Sequence, residues 1–311
     1  MEKKNNYNKE FPDLSVNISK IKFPNPIILA SGILGISYSS MLALEREGIG
    51  GITTKSIGPE LKVGNPNPSI IGLGNDTFLN AVGLANPGID YFAGEIKEIK
   101  KHISIPLIVS VFGDSIESFI NVAKKAAMAG ADAIEVNISC PHSNVSFIGS
   151  DPNLTYEYVS KVKNEIEIPL FVKLNPNVTD IVQIGKAAME AGADALVAIN
   201  TIKAMIIDIN VKKPVLSNKI GGLSGRAIKP IGIRNVFELY KSIKIPIIGC
   251  GGIFEWQDII EYFMAGASAV EVGSVLTYGY EVIRNLNLGI KNYIIQNGFS
   301  SLSELVGIAH K

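Results

Sequence analysis

The run Ala133-Ile-Glu-Val-Asn137-Ile-Ser-Cys140-Pro-His142 delivers an amide and a thiol in quick succession, just past an apolar stretch of strand length. An isolated cysteine is ordinarily a small buried hydrophobe. A thiol beyond a strand's C-terminal end, however, sits where α/β proteins concentrate their chemistry. Its ordinary pKa, about 8.5, suits a general base near neutrality once water is excluded. Two lysines, Lys55 and Lys173, lie inside β-rich runs (Ile52-Thr-Thr-Lys55 and Phe171-Val-Lys173). A lysine buried there requires an anionic or strongly polar partner. Gly251-Gly252 and Gly273-Ser274 each follow an apolar run, and such backbone N–H groups suit a phosphate. The Gly-x-Gly-Gly spacing is not the dinucleotide fingerprint.

These residues need a scaffold that brings strand ends together. Three segments, Ala129-Gly-Ala-Asp-Ala133, Ala191-Gly-Ala-Asp-Ala195 and Ala265-Gly-Ala-Ser-Ala269, each close a helical stretch and open an apolar run. Ile105-Pro106, Ile168-Pro169 and Ile245-Pro246 precede β-branched runs, and proline is tolerated at a strand's start. Apolar runs near Ile27–Ala30, Gly51–Thr54, Leu107–Val111, Ala133–Val136, Leu170–Leu174, Ala195–Ile199, Ile247–Gly249 and Ala269–Val272 predict eight strands. Helical periodicity fills the gaps, as over Ile116–Ala129, Ile181–Ala191 and Trp256–Ala265.

Eight strand–helix units predict a TIM (β/α)8 barrel as one domain over residues 1–311, with a doubly wound open sheet as the competitor. Leu14–Phe23 alternates polar and apolar and is expected to form an N-terminal hairpin plugging the barrel bottom. Two long insertions, Gly58–Gly88 and Ile202–Arg226, follow strands two and six on the active-site face. The residues expected to converge at strand ends are Ser31, Lys55, Ser56, Ser110, Asn137, Cys140, Lys173, Asn200, Thr201, Gly251, Gly252, Gly273 and Ser274.

Bulk composition narrows the function class. The chain has 311 residues, 47% apolar and 19% charged, and 29 basic residues balance 29 acidic ones. No basic field favours nucleic acid or an anionic membrane. No apolar run reaches membrane-span length, and the polar start carries no secretory h-region. Two cysteines give no disulfide framework and suit a reducing cytoplasm. The three histidines, His102, His142 and His310, are far apart, so no metal site is expected.

The chain resembles class 1 dihydroorotate dehydrogenases, most of all the subtype B catalytic subunit. The resemblance rests on Leu29-Ala-Ser-Gly32, Ile52-Thr-Thr-Lys-Ser56, Gly64-Asn-Pro-Asn-Pro68, Leu79-Asn-Ala-Val-Gly-Leu-Ala-Asn-Pro-Gly88 and Asn137-Ile-Ser-Cys-Pro141. It continues through Phe171-Val-Lys-Leu-Asn-Pro-Asn-Val-Thr-Asp180, Ile199-Asn-Thr201, Gly221-Gly-Leu-Ser-Gly225, Ala227-Ile-Lys-Pro230 and Gly251-Gly252. It implies oxidation of dihydroorotate to orotate in pyrimidine biosynthesis, with one FMN per chain.

Matched positions imply Ser31, Lys55, Ser56, Ser110, Asn137, Lys173, Ile199 and Gly225 along the flavin, with Gly251, Gly252, Gly273 and Ser274 at its phosphate. Lys55, Asn80, Ala81, Val82, Gly83, Leu84, Asn137, Asn200 and Thr201 would hold substrate. Cys140 would take the C5 proton while hydride leaves C6 for flavin N5. The family also implies a homodimer or a heterotetramer, the latter with an electron-transfer subunit carrying FAD and an iron–sulfur cluster on the way to NAD. This chain's two cysteines are too few for such a cluster.

Departures from the family pattern are His142 in place of Asn, a shorter Cys140–Asp151 loop, Ser110 in place of Asn, and changes at Lys203, Arg226 and Ser274. Cys-Pro-His also resembles dihydropyrimidine dehydrogenases, which act on uracil or thymine and form the first alternative. A flavin-free, phosphate-binding barrel lyase or isomerase is the alternative from another class.

Overall fold

The computed structural model describes residues 12–138 and 148–311. Eight parallel strands close into a barrel: β1 (Ile27–Leu29), β2 (Gly51–Thr53), β3 (Leu107–Val111), β4 (Ala133–Asn137), β5 (Leu170–Lys173), β6 (Ala195–Ala198), β7 (Ile247–Cys250) and β8 (Ala269–Val272). Strand β8 pairs with β1, so no sheet edge remains, and the open-sheet alternative is excluded. The helices between them are α1 (Tyr38–Arg46), α2 (Ile89–Ile99), α3 (Ile116–Ala129), α4 (Pro152–Lys163), α5 (Ile181–Glu190), α6 (Lys229–Tyr240), α7 (Trp256–Ala265) and α8 (Val282–Gln296).

The sequence repeats now have physical causes. Gly130 and Gly266 are left-handed caps closing α3 and α7, a conformation an L side chain adopts only with strain. The aspartates of two repeats act between neighbouring units. Asp132 accepts the Leu107 N–H at 2.7 Å and the Lys100 ammonium at 2.6 Å. Asp194 does the same for Leu170 N–H at 2.8 Å and Lys163 at 2.6 Å. Each carboxylate thus satisfies the first N–H of the preceding strand and fastens a helix end to it. The prolines work from the other side. The carbonyls of Pro106, Pro169 and Pro246 accept from Ile52, Ile134 and Leu196 of adjacent strands, where their own missing N–H costs nothing.

Inside the barrel, side chains alternate along each strand. The lowest layer is apolar. Ile28, Ile108, Ala133, Phe171, Ala195, Ile248 and Ala269 pack with Ile18 and Phe23 from the N-terminal hairpin (Val16–Ile18 against Ile21–Phe23). Phe23 fills the floor so closely that a Cβ on Gly51 would lie 2.6 Å from its ring. The expected plug is therefore present. Two residues further up four of the strands the layer turns polar, with Glu135, Lys173, Cys250 and Glu271.

The two insertions do not fold separately. Ile202–Ala204 and Gly221–Gly225 from the second pair with Thr77–Asn80 and Ile70–Gly74 from the first, as one four-stranded antiparallel sheet. Arg226 holds the seam, with its Nε donating to Asp76 at 2.7 Å and its guanidinium 4.8 Å over the Phe254 ring. Among the described residues, no helix is long and apolar enough to cross a membrane.

Removing the floor plug should be costly because no neighbour can replace a ring clasped on all sides. Phe23→Ala is expected to lower unfolding free energy by about 3–5 kcal/mol, read as a shifted denaturant midpoint. An unchanged midpoint would remove the hairpin from the core.

Candidate active site

The strand ends converge on one cavity. Ser31, Lys173, Ile199, Asn200, Thr201, Gly225, Gly251, Gly252, Gly273 and Ser274, all expected site residues, line it together with Cys250 and Glu271. Beside it runs a chain of polar side chains. Asn137 Nδ2 donates to Ser56 Oγ at 3.0 Å, Ser56 Oγ lies 3.0 Å from Ser110 Oγ, and Asn200 Nδ2 reaches Asn137 Oδ1 at 3.5 Å. Ser110 N–H donates to Thr54 Oγ1 at 3.1 Å, tying the chain to the end of β2. Amides and hydroxyls so arranged offer both donors and acceptors to a planar heterocycle.

Lys55 follows β2 and is half-buried; burial pulls its ammonium below the ordinary lysine range. No carboxylate among the described residues pairs with it. The Asn80–Leu84 segment lies outside the cavity lining and leaves the insertion sheet at Asn80, the last residue of its strand. Asn65 anchors it with two donated bonds, N–H to Val82 O and Nδ2 to Ala81 O, both at 2.9 Å. Asn80 faces Gly222 in the sheet register, and a Cβ on Gly222 would lie 2.1 Å from Thr201 Oγ1. The segment is thereby brought to Thr201 at the cavity wall. Cys140 and His142 lie outside the described residues, as does most of the shortened loop.

The glycine cradle after β7 is held from outside the barrel. Tyr262 of α7 is fully buried, and its hydroxyl donates to Gly251 O at 2.7 Å. Gly249 leaves room for that ring, since a Cβ there would lie 2.3 Å from Tyr262 Cδ1. Gly251 and Gly252 have φ of +121° and +70°, and a Cβ on Gly252 would lie 2.6 Å from Lys229 N. The backbone itself lines the cavity at this point, because no side chain can be there.

Lys173 has the ion pair its burial demands, with Glu271 of β8. Their side chains are 4% and 1% exposed, so the pair lies in the barrel interior. Thr53 Oγ1 also donates to Glu271, at 3.1 Å, and Cys250 Sγ lies 3.5 Å from the Lys173 ammonium. Burial alone would lower the lysine's pKa, but the acidic groups Cys250, Glu271 and Glu135 around it outweigh that and hold it above its ordinary range. Burial pushes the Cys250 thiol up to about 11, so it is a neutral neighbour at physiological pH. Burial also raises the Glu271 carboxyl, against the pull of Lys173.

Sequence reasoning missed Glu135, Glu271 and Tyr262. The two glutamates carried the signal that exposed Lys173, a charge inside an apolar strand (Ala133-Ile-Glu-Val and Ala269-Val-Glu-Val272). Tyr262 carried none, because its role depends on Gly249 of the preceding strand.

The dihydroorotate dehydrogenase family model matches residues 13–294. The catalytic subunit of dihydroorotate dehydrogenase B (NAD(+)) from Methanocaldococcus jannaschii is 46% identical over 304 residues, covering 96% of this chain and 98% of that protein. Its counterpart from Thermoplasma acidophilum is 47% identical over 301 residues, covering 96% and 99%. The crystal structure of DHODH from Eimeria tenella in complex with ferulenol superposes with a TM-score of 0.85 at 25% identity, covering 98% of this chain and 91% of that one.

Breaking the interior ion pair tests how far it supports the site. Lys173→Met leaves a buried carboxyl without its cation and should cost about 3–5 kcal/mol of stability. The folded variant holds the Glu271 proton more tightly than the unfolded chain does, so its stability should fall further as pH rises above the ordinary carboxylate range. Urea unfolding at mildly acidic and mildly alkaline pH reads both effects, and adding Glu271→Gln should restore part of the loss. A pH-independent loss that Glu271→Gln leaves unrestored would contradict the pairing.

Proposed function

The chain belongs to the dihydroorotate dehydrogenase family, and from that premise we propose that it oxidises dihydroorotate to orotate with FMN in the strand-end cavity. The observation that carries the reading is the convergence of three chemistries on that cavity: a glycine cradle, a buried ammonium, and a chain of amides and hydroxyls.

The donor set fits FMN. The backbone of Gly251, Gly252, Gly273 and Ser274 would hold the phosphate. Lys173 would lie at the polar edge of the ring system, with Ser31, Lys55, Ser56, Ser110, Asn137, Ile199 and Gly225 along it. When bound, FMN supplies a two-electron acceptor for the hydride leaving C6 of dihydroorotate.

The remaining work falls to the protein. Asn80, Asn137, Asn200 and Thr201 would orient the substrate through its imide, supported by the backbone of Ala81, Val82, Gly83 and Leu84. Lys55, cationic and without a carboxylate partner among the described residues, suits the substrate's carboxylate. Cys140 takes the proton from C5; a thiol can do so near neutrality if its loop excludes water.

The curated relatives are named catalytic subunits of an NAD(+) enzyme. We accordingly place this chain in an assembly of a homodimer with an electron-transfer subunit carrying FAD and an iron–sulfur cluster, working in the cytoplasm. Exposed apolar residues on the insertions, Leu61, Val63, Ile207 and Ile209, support a protein partner.

The purified protein should be yellow, release FMN on denaturation, and bleach with dihydroorotate in the absence of oxygen. Reoxidation of the reduced protein by uracil or thymine, with no response to dihydroorotate, would move the assignment to a dihydropyrimidine dehydrogenase. A colourless protein would favour the flavin-free alternative. Cys140→Ser should keep the flavin spectrum while slowing reduction by dihydroorotate at least ~10²-fold near neutral pH. Unchanged stopped-flow kinetics would take Cys140 out of the mechanism.

A further inference from the structure

The polar layer beneath the cavity contains one acid more than its charge balance needs. Glu135 on β4 is fully buried, and among the described residues neither of its carboxyl oxygens finds a donor. Glu135 nevertheless stands on the strand beside Lys173 and acts on Glu271 across the same buried layer. The two observations agree if the hydrogen between the carboxyls is counted. Two ionised carboxylates have no hydrogen to share, and both would stay unsatisfied at close range. One proton converts the contact into a charge-assisted hydrogen bond and leaves a single negative charge opposite Lys173.

Among the described residues the surroundings offer no other compensation. Cys250 is the remaining titratable group in the layer, and it brings acid rather than base. Thr53 contributes a hydroxyl to Glu271. The other strands present Ile28, Ser110 and Val197 in register beside Glu271, Glu135 and Lys173. Among the described residues, Lys173 is thus the layer's one cation, set against two carboxyls in a space where unpaired charge is expensive. Lys173 and Glu271 also line the cavity itself, so the layer directly adjoins any ligand there.

From this geometry we infer that Glu135 and Glu271 form a proton-sharing acid pair behind Lys173 that takes up a second proton when negative charge arrives in the cavity above it. The inference rests on the FMN reading for the source of that charge. With one shared proton, the two glutamates and the lysine sum to zero. Reduction by dihydroorotate brings a hydride, two electrons and one proton, into the cavity while the C5 proton taken by Cys140 is returned to solvent, a net gain of one negative charge. One further proton, drawn from solvent, then adds to the carboxylate of the pair. No bond to carbon changes in the layer and no electron moves through it. Glu135 and Glu271 are positioning residues in this scheme: they act on the reaction by setting the charge that Lys173 presents.

Two measurements on the purified holoprotein test this. The first needs no turnover. In infrared spectra near neutral pH, the oxidised protein should show a protonated-carboxyl C=O band, shifted in D₂O, that is lost in Glu135→Gln. Absence of such a difference band overturns the inference even if the protein is yellow and active. A protein that shows the band but holds no flavin overturns the FMN reading instead.

The second is a redox titration against a reference dye. Two protons per two electrons make the equilibrium constant for flavin reduction fall about a hundredfold per pH unit in the unmutated protein, whereas one proton gives about tenfold. Glu135→Gln, which keeps the Lys173–Glu271 pair, should show the tenfold dependence. A merely structural role would shift the curve without changing its slope. A tenfold dependence in the unmutated protein overturns the proposal whether or not the variant folds, and so does an undiminished hundredfold dependence in Glu135→Gln.

Discussion

The ion pair between Lys173 and Glu271 is the interaction around which the barrel interior is arranged. A lysine with 4% exposure is tolerable only with a counter-charge at hydrogen-bond range, and β8 supplies it across the barrel rather than from an adjacent strand. That pairing fixes the height at which the interior changes character. Below it, the hairpin ring of Phe23 and a layer of aliphatic side chains exclude water. Above it, strand ends open into amides, hydroxyls and bare backbone. The apolar floor is therefore part of the site, because it keeps the dielectric low enough for one ammonium to matter.

The second constraint is the backbone after β7, shaped from outside. Tyr262 reaches between strands from α7, and its hydroxyl grips the carbonyl of Gly251. Gly249 and Gly252 are cleared of side chains so that the ring and the turn can both fit. The shape of the turn thus depends on a helix that contributes no residue to the cavity lining. The Asp132 and Asp194 contacts follow the same logic at the opposite ends of the strands, where a carboxylate locks helix to strand.

Much of this was legible in the sequence, for identifiable reasons. Apolar runs marked all eight strands, six of them bounded by Ile-Pro or Ala-Gly-Ala, because burial on both faces leaves a continuous apolar signature. Strand-end residues could be placed once the barrel was assumed, since the fold itself brings such ends together. What escaped was pairing at long range. Glu271 was visible as an odd charge, but its partner lies 98 residues away. The union of the two insertions into one sheet was equally hidden, because short strands rich in glycine carry little periodicity. The aspartates of the repeats act through strand contacts that no local pattern announces.

That shared sheet changes how the barrel mouth can vary. Loops on a barrel are usually treated as separable parts, each free to lengthen or be exchanged on its own scaffold. Here Thr77–Asn80 and Gly221–Gly225 are hydrogen-bonded neighbours, so a register slip in one displaces the other. Natural variants and engineered chimeras should therefore inherit these insertions as a matched set. Swapping one alone would misalign Asn80 against Gly222 and so disturb the wall at Thr201. The unit of exchange at this rim is the pair of loops.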